Sequence, residues 1–195
     1  MKLIKILFIL FLINICSYVE AQQTISNPDL NELTSYLKIS DFNNFYSKLN
    51  KSNYSNSTKI KYLLEFKNEG YTPLYWMLSE LYANENNNEE TQIWAYIAII
   101  MTDQDSNLCM DETATNAVGK LISINEKTYS IILKTKQNTK EITKKAIQFI
   151  KDLDKRKSPK WACYYGNENN LQLKPQQSWQ SIRYNILSKY MGLTK

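Results

Sequence analysis

An all-α domain is the fold class the sequence predicts, and three observations predict it. Apolar residues recur at helical spacing through most of the chain. Only 4 of its 195 residues are Gly and 4 are Pro, too few for the many tight turns of a barrel or sandwich. Short polar runs, several ending in a capping residue, separate the apolar segments. The composition is otherwise that of an ordinary globular domain, 43% hydrophobic, 22% charged and 12% aromatic. It excludes a disordered tail, a collagen-like fibre and a multi-pass membrane protein.

The first segment reads as a leader rather than as part of the fold. Lys2 and Lys5 form a short positive region, Leu7 to Ile15 is apolar apart from Asn14, and Val19-Glu20-Ala21 resembles a cleavage site. This is the pattern of a secretory signal peptide, 1–21, cleaved after Ala21. The apolar run is too short for a comfortable membrane span. An uncleaved N-terminal anchor is one alternative. Lipidation at Cys16 is another, although Ile15 stands where that processing needs a small residue. Residues 22–195 are then a single all-α domain, periplasmic or secreted, with no stable membrane anchor after cleavage.

The helices follow in order. Asn27-Pro28-Asp29 opens the first, with Leu30, Leu33 and Leu37 on one stripe. Ser40 is placed to cap the second, where Phe42, Phe45, Tyr46 and Leu49 fall at i, i+3, i+4 and i+7. After the polar run Lys51 to Thr58, a third helix carries Ile60, Leu63, Leu64 and Phe66 and ends at Gly70, suited to a left-handed terminus. Thr72-Pro73 starts a fourth, with Leu74, Met77, Leu78 and Leu81, and Asn84 to Asn88 is a turn. The fifth is apolar nearly all round, from Ile93 and Trp94 to Met101, and is therefore expected at the centre of the fold. Asp103 to Met110 reads as a loop. Asp111 then caps a helix with Ala114, Ala117, Val118, Leu121 and Ile122, and another runs from about Lys127 through Leu133. Asn138 and Glu141 have capping-box spacing before Ile142, Ala146, Phe149, Ile150 and Leu153. Ser158-Pro159 breaks that helix, and Pro175 begins the last, with Trp179, Ile182, Ile186 and Tyr190. The sum is an irregular array of about eight or nine short antiparallel helices. Tetratricopeptide-like packing is compatible with it, but no clean 34-residue repeat is present.

Export changes how the cysteines read. Cys16 leaves with the leader, and Cys109 and Cys163 remain as an even pair in an oxidising compartment. One disulfide between them is expected, with two separate buried thiols as the alternative. No cofactor and no metal is expected.

Candidate chemistry is thin. The chain contains no His, which removes Ser-His-Asp and Cys-His catalysis and His-ligated zinc. Asp103, Asp105 and Asn107 have the opening spacing of an EF-hand loop, but Leu108 replaces the required Gly and Ala114 the bidentate Glu. No P-loop or dinucleotide fingerprint is present. A glycosidase needs two opposed carboxylates, and Glu80, Glu89, Glu90 or the acids between Asp103 and Glu112 could supply them.

The informative pattern is charge. Residues 68–119 hold nine acids and no Lys or Arg, and residues 120–160 hold twelve bases and four acids. Either these segments lie side by side and neutralise each other, or one faces a partner of opposite sign. Stacking aromatics are sparse in the basic stretch, with only Tyr129 and Phe149. With the leader, this argues against nucleic acid as the partner.

Trp94-Ala95-Tyr96, Asp105, Cys109-Met110-Asp111-Glu112-Thr113-Ala114 and Pro159-Lys160-Trp161-Ala162-Cys163 together resemble small bacterial envelope proteins of two-cysteine helical type. Some of these are similar to immunity proteins paired with secreted antibacterial toxins. The chain departs from the lipoprotein members in lacking a good lipobox at Cys16. The resemblance implies an exported binding protein, not an enzyme, that neutralises a basic secreted toxin stoichiometrically. Acidic contact residues would be Glu85, Glu89, Glu90, Asp103 and Asp105, with Trp76 and Tyr82 as aromatic anchors. A helical-repeat scaffold of the envelope and a carboxylate-dependent cell-wall hydrolase are the alternatives.

Overall fold

The computed structural model describes residues 28–134, 139–153, 155–157, 159–168 and 170–192. The expected signal peptide and Asn138, half of the expected capping box, lie outside them. Nine α-helices occur among the described residues, with four short 3-10 segments and a single isolated β-bridge. None of these helices is long and apolar enough to cross a membrane. Two compact units divide between Asn50 and Lys51.

The smaller unit contains α1 (Pro28–Lys38) and α2 (Phe42–Lys51). Leu33, Leu37, Phe45 and Leu49, the expected stripes, are buried. Ser40 does not cap α2. It sits at φ 60° where the chain turns, and the shorter carboxylate Asp41 takes the role. Asp41 Oδ1 accepts from the Asn44 backbone N–H at 3.2 Å, and its own carbonyl accepts from Phe45 N–H. Lys48 Nζ lies 2.9 Å from Glu32, which ties α2 back to α1.

The larger unit is organised around one helix. It runs through α3 (Asn56–Glu65), α4 (Thr72–Asn84), α5 (Asn88–Ser106), α6 (Ala117–Ile124), α7 (Glu126–Lys134), α8 (Thr139–Lys151) and α9 (Trp179–Gly192). Twelve of the 19 residues of α5 are buried. Helices α4, α6, α7, α8 and α9 and the 3-10 segments 112–116 and 159–165 all pack against it. The nearly all-apolar helix is thus central, as its sequence requires. The three-residue connection between α4 and α5 makes them an antiparallel pair. The array is irregular. Its elements converge on α5 rather than stacking in a line where each repeat meets only its neighbours. Tyr75, Trp94 and Phe149, from α4, α5 and α8, form an aromatic knot with ring centroids 5.5 to 5.8 Å apart.

Helix α5 continues to Ser106, through residues read from sequence as a loop. The extension has a tertiary cause. Asp103, Gln104 and Asp105 are polar, but each finds partners on other elements, so the helix carries them into the interior instead of ending before them.

Beyond α5 the chain is stapled. Cys109 and Cys163 are disulfide-bonded, with Cα atoms 5.5 Å apart and a sequence separation of 54. Cys109 also pairs with Leu173 in the isolated bridge, where Met110 N–H donates to Gln172 O and Lys174 N–H to Leu108 O. Both cysteines, Ala114 and Ala162 are buried together beneath Trp161, Leu171 and Leu173.

Gly70 is the one glycine at positive φ, 73°, among the described residues. It ends the 3-10 turn Lys67–Glu69, and a Cβ there would collide with the Lys155 carbonyl. Only glycine meets both demands. Gly70→Ala is expected to lower unfolding stability by about 1–3 kcal/mol from the left-handed backbone alone, measured by urea titration. A loss under 0.5 kcal/mol would contradict this account.

Candidate functional site

The acids proposed as partner contacts separate into interior and exterior groups. Asp105 is 3% exposed, on the last turn of α5. Its Oδ2 accepts from the Thr72 hydroxyl at 2.6 Å and from Trp161 Nε1 at 3.0 Å. Its Oδ1 lies 3.4 Å from Arg156 Nη2. Asp105 is therefore no surface contact: three donors occupy it, and removing it from water is tolerated because they do. Trp76 is also interior, 5% exposed, and donates its Nε1–H to the Thr102 hydroxyl at 2.9 Å. Both are corrected as contact residues. Asp103 is half-buried and accepts from the Tyr190 hydroxyl at 3.1 Å, with Lys189 Nζ at 3.6 Å. Burial, then the Asp103 charge, pushes the Tyr190 hydroxyl well above its usual range.

The exterior group lies at the α4–α5 turn. Glu85 and Glu89 are exposed, and Glu90 and Tyr82 are half-buried. Glu89 pairs with Lys145 of α8 at 2.7 Å, and Glu90 accepts from Trp94 Nε1 at 2.9 Å. Lys127 of α7 reaches Asn84 at 3.3 Å. Burial, then the Glu90 charge, raises the Tyr82 hydroxyl. Glu69, farther along the acidic stretch, is met by Lys155 at 2.8 Å and Lys157 at 3.5 Å. Acidic and basic stretches are thus partly neutralised against each other, and the turn carries mixed charge.

The residues with EF-hand spacing do not form a loop. Asp103 and Asp105 are helical, Asn107 is the C-terminal cap of α5, and the two carboxylates engage different partners. Among the described residues no group of three or more His, Cys, Asp or Glu is placed to hold a metal ion.

A second buried carboxylate holds the stapled end. Asp111 caps the 3-10 segment Glu112–Asn116, and the helix it was expected to open begins only at Ala117. Its oxygens accept from the Thr113 hydroxyl at 2.6 Å, the Thr113 N–H at 2.9 Å and the Glu168 N–H at 2.9 Å. A Cβ at Gly166 would collide with this carboxylate, so glycine lets the backbone close over it.

Sequence reasoning passed over the residues that surround Asp105. Arg156 Nη2 donates to Gln104 Oε1 at 2.8 Å, and Gln104 Nε2 donates to the Arg183 carbonyl of α9 at 2.9 Å. The Arg183 guanidinium lies 5.5 Å over the Trp179 ring, within the range of a cation–π contact. Burial, then the Arg156 charge, lowers its basicity, against an opposite pull from Asp105. A signal for this cluster existed in composition. Of 24 Lys and Arg residues only two are Arg, and both converge here. Arg presents a planar fork of donors where Lys presents a point charge, so its rarity in a Lys-rich chain marks positions where the fork is needed.

Asp105→Asn is expected to destabilise the protein by about 3–5 kcal/mol, because it leaves Arg156 in the interior without its carboxylate. Denaturant unfolding measures this, and a change below 1 kcal/mol would show that the pair carries no weight. A pH dependence is expected at Asp111, whose hydrogen bonds, the Thr113 hydroxyl first and the Glu168 N–H second, hold it below its ordinary 3.8. A carboxylate with a depressed folded-state pKa adds stability above the unfolded value and loses it as pH falls through the folded value. Wild-type stability should therefore drop as the pH falls below about 4, and Asp111→Asn should flatten that part of the curve. Parallel curves would refute this.

No family model, curated protein or solved structure matches the chain.

Proposed function

We propose that the chain is an exported, non-catalytic binding protein, and in its most specific form a periplasmic immunity protein that neutralises a secreted toxin by stoichiometric binding. The observation that carries the non-catalytic reading is the state of the interior carboxylates. Asp103, Asp105 and Asp111, which a carboxylate-dependent hydrolase would need free in a cleft, are each held by donors from other segments. A general acid or base must reach the proton it moves, and these groups are committed to structure. His is absent, and Cys109 and Cys163 are joined. The disulfide suits an oxidising compartment, which agrees with the leader-like first 21 residues.

The contact surface on this reading is the α4–α5 turn, with Glu85, Glu89, Glu90 and Tyr82. Lys127 and Lys145 stand beside it. Its field is therefore local, and it assists docking more than long-range steering. Reversing Glu85, Glu89 and Glu90 to Lys together is expected to slow association with a basic toxin up to about tenfold, while leaving helix content unchanged. The experiment expresses a toxin encoded beside this gene in the periplasm, with wild-type or charge-reversed protein. Survival and surface-plasmon-resonance kinetics are measured. Absence of both protection and complex with wild-type protein overturns the immunity reading.

A further inference from the structure

The cluster around Asp105 is unbalanced. It gathers two guanidiniums, Arg156 and Arg183, about one carboxylate. Arg156 is satisfied by Asp105 and Gln104. Arg183 is not: its Nε and Nη2 are buried and have no hydrogen-bond acceptor among the described residues. These two atoms form one edge of the guanidinium, where their N–H bonds run parallel, and that edge is the one a carboxylate or phosphate grips with two oxygens. An interior cation with unmade hydrogen bonds is costly. Here the side chain is nonetheless held in place, by the Trp179 ring on its face and by Gln104 bonding its backbone carbonyl. Arg183 as a residue is only half-buried, although the edge itself is withdrawn from solvent.

We propose that the Arg183 edge, with Arg156 behind it, is a binding site for an oxyanion, the carboxylate or phosphate group of a small ligand. The ligand supplies the second negative charge that Asp105 alone does not. Asp105 is already engaged by Arg156, and the Trp179 ring lies against the Arg183 guanidinium. Charge decides the ligand class: two cations and one anion leave a site that accepts a negative group and rejects a cation. The site is separate from the α4–α5 turn and does not rest on the immunity reading.

The test is thermal unfolding of the full chain in sodium phosphate, sodium acetate and sodium chloride at matched ionic strength and pH. A ligand that binds only the native state raises Tm with concentration. At a hundredfold excess over Kd the rise is about 5–10 °C for a chain of this size. Phosphate or acetate is expected to give that rise where chloride does not. A larger response to acetate assigns a carboxylate ligand, and a larger response to phosphate assigns a phosphate ligand. Arg183→Met should abolish the oxyanion-specific rise and, in chloride, melt at or above the wild-type temperature, because it removes a buried unpaired charge. Arg183→Lys should keep the charge and weaken binding at least tenfold by isothermal titration. Equal Tm in all three salts for wild-type protein overturns the proposal without reference to any variant. So does an undiminished oxyanion-specific rise in Arg183→Met.

Discussion

The larger unit depends on a single carboxylate withdrawn from water. Asp105 sits where the opening of α4, the last turn of α5, the segment 155–157 and the 3-10 segment 159–165 meet. Burying a carboxylate costs several kcal/mol, and only a full set of donors offsets it. Thr72, Trp161 and Arg156 must therefore arrive together or the acid stays wet. This makes the convergence of distant segments conjunctive, which apolar packing alone does not do. The disulfide starts one turn later: Cys109 Sγ lies 3.8 Å from the Asp105 carbonyl. Brace and staple are neighbours, so the segment after α8 is fixed to the end of α5 by charge and covalently.

Seen from that brace, the division of charge along the chain is a folding pattern before it is a surface field. Three acids of the basic-free stretch, Glu69, Glu89 and Asp105, are met by Lys155, Lys145 and Arg156 of the basic stretch. These pairs are unequal. Lys145–Glu89 and Lys155–Glu69 are solvent-exposed and contribute at most a few tenths to about 1 kcal/mol each. Arg156–Asp105 is buried, and its loss costs several times more. The exposed pairs orient α8 and the segment after it. The buried one fixes their register.

The sequence carried the helices and concealed the site, for a physical reason in each case. Period-3.6 patterns in α4 and α8 report burial, which is a property of one face of one segment. The expected stripes are accordingly the buried ones, including Leu74, Leu78, Ile142, Ala146 and Ile150. The disulfide was legible because the expected leader would take Cys16 with it and leave one pair. The end of α5 was not legible. Asp103 to Ser106 has the composition of a loop, and partners 33 to 87 residues away make it helix. Ser40 failed as a cap because Asp41, one residue on, competes for the same N–H groups. Asp105 and Trp76 failed as contacts because local sequence does not distinguish a buried polar group with distant donors from an exposed one. Arg156 was hidden among the lysines of the basic stretch 120–160.

The two arginines explain why the brace and the proposed ligand site are one object. In a chain that meets nearly every other cationic need with Lys, Arg remains only where donors must lie in a plane. At Arg156 the plane serves stability, since the fork reaches Gln104 and Asp105 at once. At Arg183 the same plane lies over Trp179 but leaves its parallel donors without an acceptor among the described residues, and its charge repels Arg156. A group that raises the energy of the native state while being held rigid belongs to function rather than to folding. Asp105 cannot neutralise both cations. By satisfying Arg156 it leaves Arg183 without a carboxylate of its own. The acid that stabilises the fold is thus also what keeps the second arginine unpaired.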